Sequence, residues 1–489
     1  MTRRARRAGV DSPWLPLSLV LVFAGSRIVY WYAGVRFSTD QLGIAIQYLD
    51  PELLRTHLVE SIWYLHIQPP LYNLGLGLVL KAAPGHAAIA FHVVYLALGL
   101  TEILCLFALV KELGAPRWLA WGVAVLVSAS PASILYENRL FYDYVVLVLL
   151  TGASLLALRL EARPTTGRCL ALFGVLAALV LTRSVYQIVF LVAVLAIVLG
   201  LRVVPRRAAV LAALPALLVV SGLMLKNEIV FGSPATSSFI GENLERVAVT
   251  PAPLYLRRRL VASGELDPLV LVPNFSPVSA YRPYVGSPRP TGVAALDRVW
   301  KSDGKPNFNN ATYLDVQRRL LRTSVAFAFH HPQWYARGIK LATERYFWPP
   351  TYPAAIVGVN KYAIGHVEAL SEAGFYGSTP RLNRVGLLSV LLFLIALGFG
   401  GVVTFRPGDP HRFTIAFVWF VLLYTTVVGV AGDLGENYRT RLPADPLALA
   451  LAALGAHRAW QWYRRRRAKP IISPPSSGGF PGEIAHPSE

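Results

Sequence analysis

Apolar residues along this chain fall into membrane-length blocks separated by polar stretches, and the blocks predict helices. A bilayer span needs about 20 helical residues. Ten segments come close to that length: roughly 15–35, 87–110, 118–136, 143–160, 168–183, 185–201, 208–226, 385–405, 412–431 and 442–463. An eleventh run, 69–80, has only about 12 residues, a length expected of a short helix dipping into the membrane from one side. Between the first block and this run, Leu42, Ala45, Ile46, Leu49, Leu53, Leu54, Leu58, Ile62 and Leu65 recur at helical spacing, broken by Asp50-Pro51. That pattern predicts two short amphipathic helices lying on a membrane surface. The long polar stretch 227–384 exceeds any simple connector and is expected to fold as its own domain, with a helix over 314–329.

Composition turns this pattern into a class. The 489 residues are 54% hydrophobic and 15% charged, with mean hydropathy +0.47, which excludes an ordinary soluble enzyme. The expected fold is an all-α polytopic membrane protein of 10 to 11 spans. Its units are an N-terminal membrane module (1–226) containing a first outer loop (36–86), an outer-loop domain (227–384), C-terminal membrane helices (385–463) and a basic, disordered tail (464–489). Cys105 and Cys169 both lie in apolar segments, so neither a disulfide framework nor a cysteine metal site is expected.

The formal charge of +20 is concentrated at span ends, which assigns it to topology and membrane lipids rather than to nucleic acid. Alternate connections carry it: Arg3, Arg4, Arg6 and Arg7; Lys111 and Arg117; Arg159, Arg163 and Arg168; Arg202, Arg206 and Arg207; Arg406 and Arg412; Arg464 to Arg467 with Lys469. The positive-inside rule places all of these in the cytoplasm. Both termini are then inside, the first segment is a retained signal anchor, and counting 69–80 as a span would invert every later loop.

Candidate chemistry therefore gathers on the outer side. Asp40 leaves the first span as either a helix cap or a functional carboxylate. His66-Ile67-Gln68-Pro69-Pro70-Leu71-Tyr72-Asn73 reads as a helix start or as a substrate contact through His66 and Tyr72. In the second outer loop, Asp143 suits a helix N-terminus, Glu137 or Asp143 could bind an acceptor or a divalent metal with water, and Arg139 could meet phosphate. In the last, Arg439 and Arg441 break the positive-inside pattern. Arg439 is the preferred ligand for a phosphate leaving group, with Glu436 orienting it. Lys226, at the outer end of a span, could cradle phosphate or sugar.

At these residues the sequence resembles the GT-C superfamily of membrane glycosyltransferases, particularly bacterial relatives of protein O-mannosyltransferases and lipid A aminoarabinose transferases. Asp40 stands at that family's acidic first-loop position, and His66 to Leu71 resembles its His-Pro-Pro-Leu motif with Ile67-Gln68 inserted. Gln41 stands where many members carry Glu. The resemblance implies transfer of a sugar from a polyprenyl-phosphate carrier to a glycan, lipid or protein acceptor at the outer face of the cytoplasmic membrane. Asp40 would be the general base and the anomeric configuration would invert. No nucleotide-binding glycine loop is present, consistent with a lipid-borne donor. A transporter is the first rival, but the halves show no repeat and few charges fall mid-membrane. A polysaccharide polymerase or ligase is the second; Asp40 and the Pro-Pro pair argue against it.

The arginine pattern has a direct test. A reporter joined after Leu266 should read as extracytoplasmic, and a cytoplasmic signal there would overturn the topology.

Overall fold

A computed structural model describes residues 14–286, 289–351, 370–377 and 385–467. The N-terminal arginines, the later part of the outer stretch at 352–369 and 378–384, and the tail after 467 lie outside the described residues. Within them the chain is helical, with two isolated β-bridges, Ser38 to Arg139 and Trp300 to Pro306.

Each of the ten expected spans is a helix or helix pair. They are α1 (Trp14–Tyr32), then, after α2 (Gln41–Ile44), α3 (Pro51–Thr56), α4 (Leu58–Trp63) and α5 (Pro70–Ala82), α6 (Ala87–Glu112), α7 (Arg117–Ala129) with α8 (Pro131–Glu137), α9 (Tyr142–Ala162), α10 (Thr166–Thr182), α11 (Ile188–Gly200) and α12 (Arg206–Phe231). The outer domain contributes α13 (Ile240–Ala248), α14 (Leu254–Ala262), α15 (Val278–Val285), α16 (Ala294–Asp297), α17 (Thr312–His330) and α18 (Pro332–Tyr346). The chain continues with α19 (Leu387–Phe405), α20 (Arg412–Ala431), α21 (Asn437–Arg441) and α22 (Asp445–Arg467). Among the described residues, six helices (α1, α6, α9, α12, α19 and α20) are long and apolar enough to cross a membrane. The segment expected as one span at 118–136 instead bends by 54° between α7 and α8. Ser130 accepts from the Ser133 N–H there while Pro131 supplies none, so a new helix starts at that point.

Two sets of connections gather at opposite ends of the bundle. At one end Glu161, closing α9, accepts from the Phe413 N–H (2.7 Å) and the Thr414 hydroxyl (2.6 Å). Arg458 pairs with Asp409 and reaches the Leu113 carbonyl. These are the connections expected inside. At the other end the 36–66 loop, the 137–143 loop, the outer domain and the 432–441 loop bond to one another. α5, about 20 Å long at 1.5 Å per residue, starts at that end, where Ser237 donates to the Ile67 carbonyl (2.6 Å). It also finishes there: early in α6, His92 stacks on Phe37 and Tyr95 donates to the Phe141 carbonyl (2.7 Å). The short helix therefore returns to its own side.

The outer domain is fastened to the first loop by polar contacts. Asp50 caps α3 through the Glu52 N–H and also accepts from the Ser302 hydroxyl (2.6 Å) and Arg298 (3.1 Å). The buried His66 ring bonds Ser238 Oγ (2.7 Å) and the Asn309 carbonyl (3.1 Å), while its backbone N–H donates to Asn309 Oδ1 (3.0 Å). Where a helix over 41–49 is expected, α2 stops after one turn because the Lys301 ammonium takes the Gly43 and Ala45 carbonyls, both at 2.9 Å. His330-His331-Pro332 forms the junction of α17 and α18.

Burial lowers the His66 pKa to about 3 from 6.5, so the fold holds the ring neutral. A depressed histidine pKa contributes stability that is whole above about pH 6.5 and is lost as pH falls toward 3. Between pH 7.5 and 4.5 this one group should cost about 3 kcal/mol. Thermal unfolding in detergent should show that loss, and His66→Gln should flatten the acid limb; an equally steep limb in the variant would exclude His66 as its cause.

Candidate functional site

The first two outer loops are stitched side by side. The Ser38 N–H donates to the Asn138 carbonyl (2.9 Å), and the Leu140 N–H donates to the Ser38 carbonyl (3.2 Å). This small bridge brings Gln41, the residue after Asp40, to Arg139. The Gln41 side chain accepts from Arg139 Nη2 at 3.2 Å. Asp40 precedes α2 but makes no capping bond, and its side chain is exposed. Of the two sequence readings, capping is therefore not what the carboxylate does here.

Behind Arg139 lies a buried ion cluster. Asp143, in the first turn of α9, sits 2.6 Å from Arg183 Nη1 and accepts from Arg439 Nε at 3.0 Å. Arg439 also pairs with Glu436. Arg183 reaches back to the Arg439 carbonyl (3.3 Å) and Thr440 Oγ1 (3.2 Å), so the end of α10 is tied to α21. Burial alone would depress the Arg439 pKa, but Asp143 and Glu436 outweigh it and hold it above the ordinary arginine value. The Phe141 ring lies 4.2 Å from the Arg439 guanidinium carbon and 4.9 Å from that of Arg139, within cation–π range of both.

The balance of this cluster decides its chemistry. Arg139, Arg183 and Arg439 carry three positive charges against two negative ones on Asp143 and Glu436. The excess sits on Arg139, which is 5% exposed and whose Nε and Nη1 have no hydrogen-bond partner. The nearby Tyr136 hydroxyl is also buried without a partner. Buried donors left unpaired are costly, and a guanidinium edge suits a planar or tetrahedral oxyanion.

The other sequence candidates have internal partners. Glu137 takes Arg27 in a two-point ion pair (2.9 and 2.5 Å) and the Tyr144 hydroxyl (2.9 Å). α6 makes room for it with Gly99, where a Cβ would lie 2.1 Å from Glu137 Oε2. Tyr72 bonds the Tyr95 hydroxyl (2.7 Å), and Lys226 donates to the Trp63 carbonyl (2.8 Å). Arg439, the preferred phosphate ligand on sequence grounds, spends its charge on two carboxylates, whereas Arg139 keeps its own. Sequence reasoning did not single out Arg27, although a lone charge inside an apolar membrane-length helix is a signal. Arg183, between two short apolar segments, carries the same signal. Among the described residues no three His, Cys, Asp or Glu side chains converge as a metal site.

Removing one partner of a buried ion pair costs about 3–5 kcal/mol. Asp143→Asn, which strands Arg183 and Arg439, should lose that much in denaturant unfolding. Glu436→Gln, at a carboxylate 34% exposed, should lose less than about 1 kcal/mol. Equal losses would show that the cluster is not centred on Asp143.

No family model and no curated protein matches the chain. Solved structures of the oligosaccharyltransferase from Archaeoglobus fulgidus do resemble it. Archaeal oligosaccharyltransferase AglB in complex with an inhibitory peptide and a dolichol-phosphate aligns at 12% identity and TM-score 0.42, covering 95% of this chain and 53% of that one. The complex with Zn and sulfate aligns at 14% identity and TM-score 0.40, covering 92% and 50%. The apo form aligns at 12% identity and TM-score 0.39, covering 93% and 51%. The resemblance thus runs along most of this chain and spans about half the length of those proteins.

Proposed function

We propose that this protein is a GT-C-type membrane glycosyltransferase that moves a sugar from a polyprenyl-phosphate carrier to an acceptor hydroxyl at the outer membrane face. The observation that carries this reading is the unpaired, buried edge of Arg139, which bonds Gln41, the residue directly after the exposed Asp40. A base and an anion site on adjacent strands of backbone are what displacement at an anomeric carbon from a phosphate leaving group requires.

In this reaction the acceptor oxygen attacks the anomeric carbon as the bond from that carbon to the phosphate oxygen breaks. The acceptor proton passes to Asp40, and the bonding pair leaves with the phosphate. Single displacement inverts the anomeric configuration. Arg139 Nε and Nη1, with the Tyr136 hydroxyl, would meet the phosphate oxygens as their charge grows, where fixed donors lower the barrier most. Gln41 orients Arg139, and Arg439 packs against the Phe141 ring rather than holding the phosphate itself.

The test is incubation of the purified protein with labelled polyprenyl-phosphate sugars and membrane fractions, followed by identification of the labelled product. Asp40→Asn should bind donor normally yet lose on the order of 10²–10⁴-fold in turnover. Arg139→Ala should raise donor half-saturation at least about tenfold, the loss of about 1.4 kcal/mol. Wild-type turnover in Asp40→Asn would sink the base assignment, and unchanged donor saturation in Arg139→Ala would sink the phosphate site.

A further inference from the structure

Asp40 is exposed, yet the backbone that carries it is held on both sides. On the N-terminal side is the Ser38 bridge described above. On the C-terminal side is the Gly43 peptide, whose N–H donates to the Asp40 carbonyl (3.2 Å) and whose carbonyl accepts from Lys301 Nζ (2.9 Å). The same ammonium donates to the Ala45 carbonyl (2.9 Å). Lys301 is 3% exposed and opens a tight turn of the outer domain, closed by its own N–H donating to the Lys305 carbonyl (2.7 Å).

The fit around Gly43 is close. A Cβ there would lie 1.9 Å from Asp303 Oδ2, the far end of an exposed side chain, so the turn packs directly on the Gly43 backbone. The turn is braced in its own right, because Asp50 accepts from both the Ser302 N–H (3.0 Å) and its hydroxyl (2.6 Å). Burial lowers the Lys301 pKa to about 8, with Asp303 and Asp50 opposing the shift. An ammonium in so dry a place is expensive, and core packing alone would be served by an apolar side chain of the same length. Its donors are spent on the carbonyl end of the one helical turn that follows Asp40, where a cation is favoured.

We propose that Lys301 is a positioning residue for Asp40: through the Gly43 peptide, the 300–306 turn of the outer domain sets where the Asp40 carboxylate stands relative to Arg139. This rests on the reading of Asp40 as the base. Misplacing a catalytic group by about 1 Å costs on the order of 10²-fold in rate.

Single-turnover rates of Lys301→Met, Asp40→Asn and the double variant separate positioning from general support. Lys301→Met should slow turnover about 10²-fold while donor half-saturation stays within about twofold of wild type, and the double variant should be no slower than Asp40→Asn alone. A wild-type rate in Lys301→Met, or the same fold-loss repeated in the Asp40→Asn background, overturns the proposal. Should Lys301→Met fail to fold, Lys301→Gln, a shorter neutral side chain that cannot hold both the Gly43 and Ala45 carbonyls as the ammonium does, should give the same turnover-only loss; retention of the wild-type rate overturns the proposal equally. A readout independent of activity is a spin label at Asp40→Cys with Cys105 and Cys169 changed to Ala. Its spectrum should sharpen toward a mobile label in Lys301→Met, and an unchanged line shape overturns the clamp even if no donor is ever turned over. Absence of transfer in the wild-type protein, with the label still immobilised by Lys301, would fall on the glycosyltransferase reading instead.

Discussion

Much of the outer end depends on one carboxylate with two arginines. Asp143 is the point where the start of α9, the end of α10 and α21 meet, through Arg183 and Arg439. Each of these charges is expensive away from water, and together they are tolerable only because attraction in a low-dielectric surrounding offsets the lost hydration. The geometry is therefore stringent: an element that drifted would leave a bare charge behind. That stringency also holds the Phe141 ring and, through it, the neighbourhood of Arg139.

The same accounting gives Arg139 its meaning. Glu137 with Arg27 shows how fully the fold can satisfy a buried charge with its opposite when it is structural. Arg139 has only the neutral amide of Gln41. That open guanidinium edge is the basis of the proposed anion site. The outer domain completes the arrangement. Asp50, His66 and Lys301 bind it to the first loop, so the exposed carboxylate of Asp40 rides on a backbone fixed from the membrane side and from above.

Legibility in the sequence follows the range of the force involved. Apolar blocks became helices near their expected places because burial in lipid and backbone satisfaction act along a single segment. The helix over 312–330 and the His330-His331-Pro332 junction were likewise local. The one-turn truncation of α2 was not, since a helix pattern runs on through Leu49, while Asn73 takes the Leu49 N–H and Gln47 carbonyl and the Lys301 ammonium, over 250 residues away, takes the Gly43 and Ala45 carbonyls. His66 shows the same limit. Its sequence context suggests a substrate contact, while its ring is spent on Ser238 and Asn309, the latter 243 residues on.

By itself, then, the sequence determined the helical membrane character, the approximate spans, the two families of loops implied by arginine placement, and the short list of polar residues worth weighing. Hydrophobic periodicity and charge asymmetry are properties of neighbours in the chain, and they survive without any knowledge of contacts. Only the tertiary structure decided which of those residues are fasteners and which keep polar atoms unpaired. Asp143, Glu137, His66 and Tyr72 found partners across the fold, while Arg139 met only the Gln41 amide and kept two donors open. An ion's role depends on whether its charge is already neutralised, and that is settled by side chains far away in sequence brought within 3 Å of it.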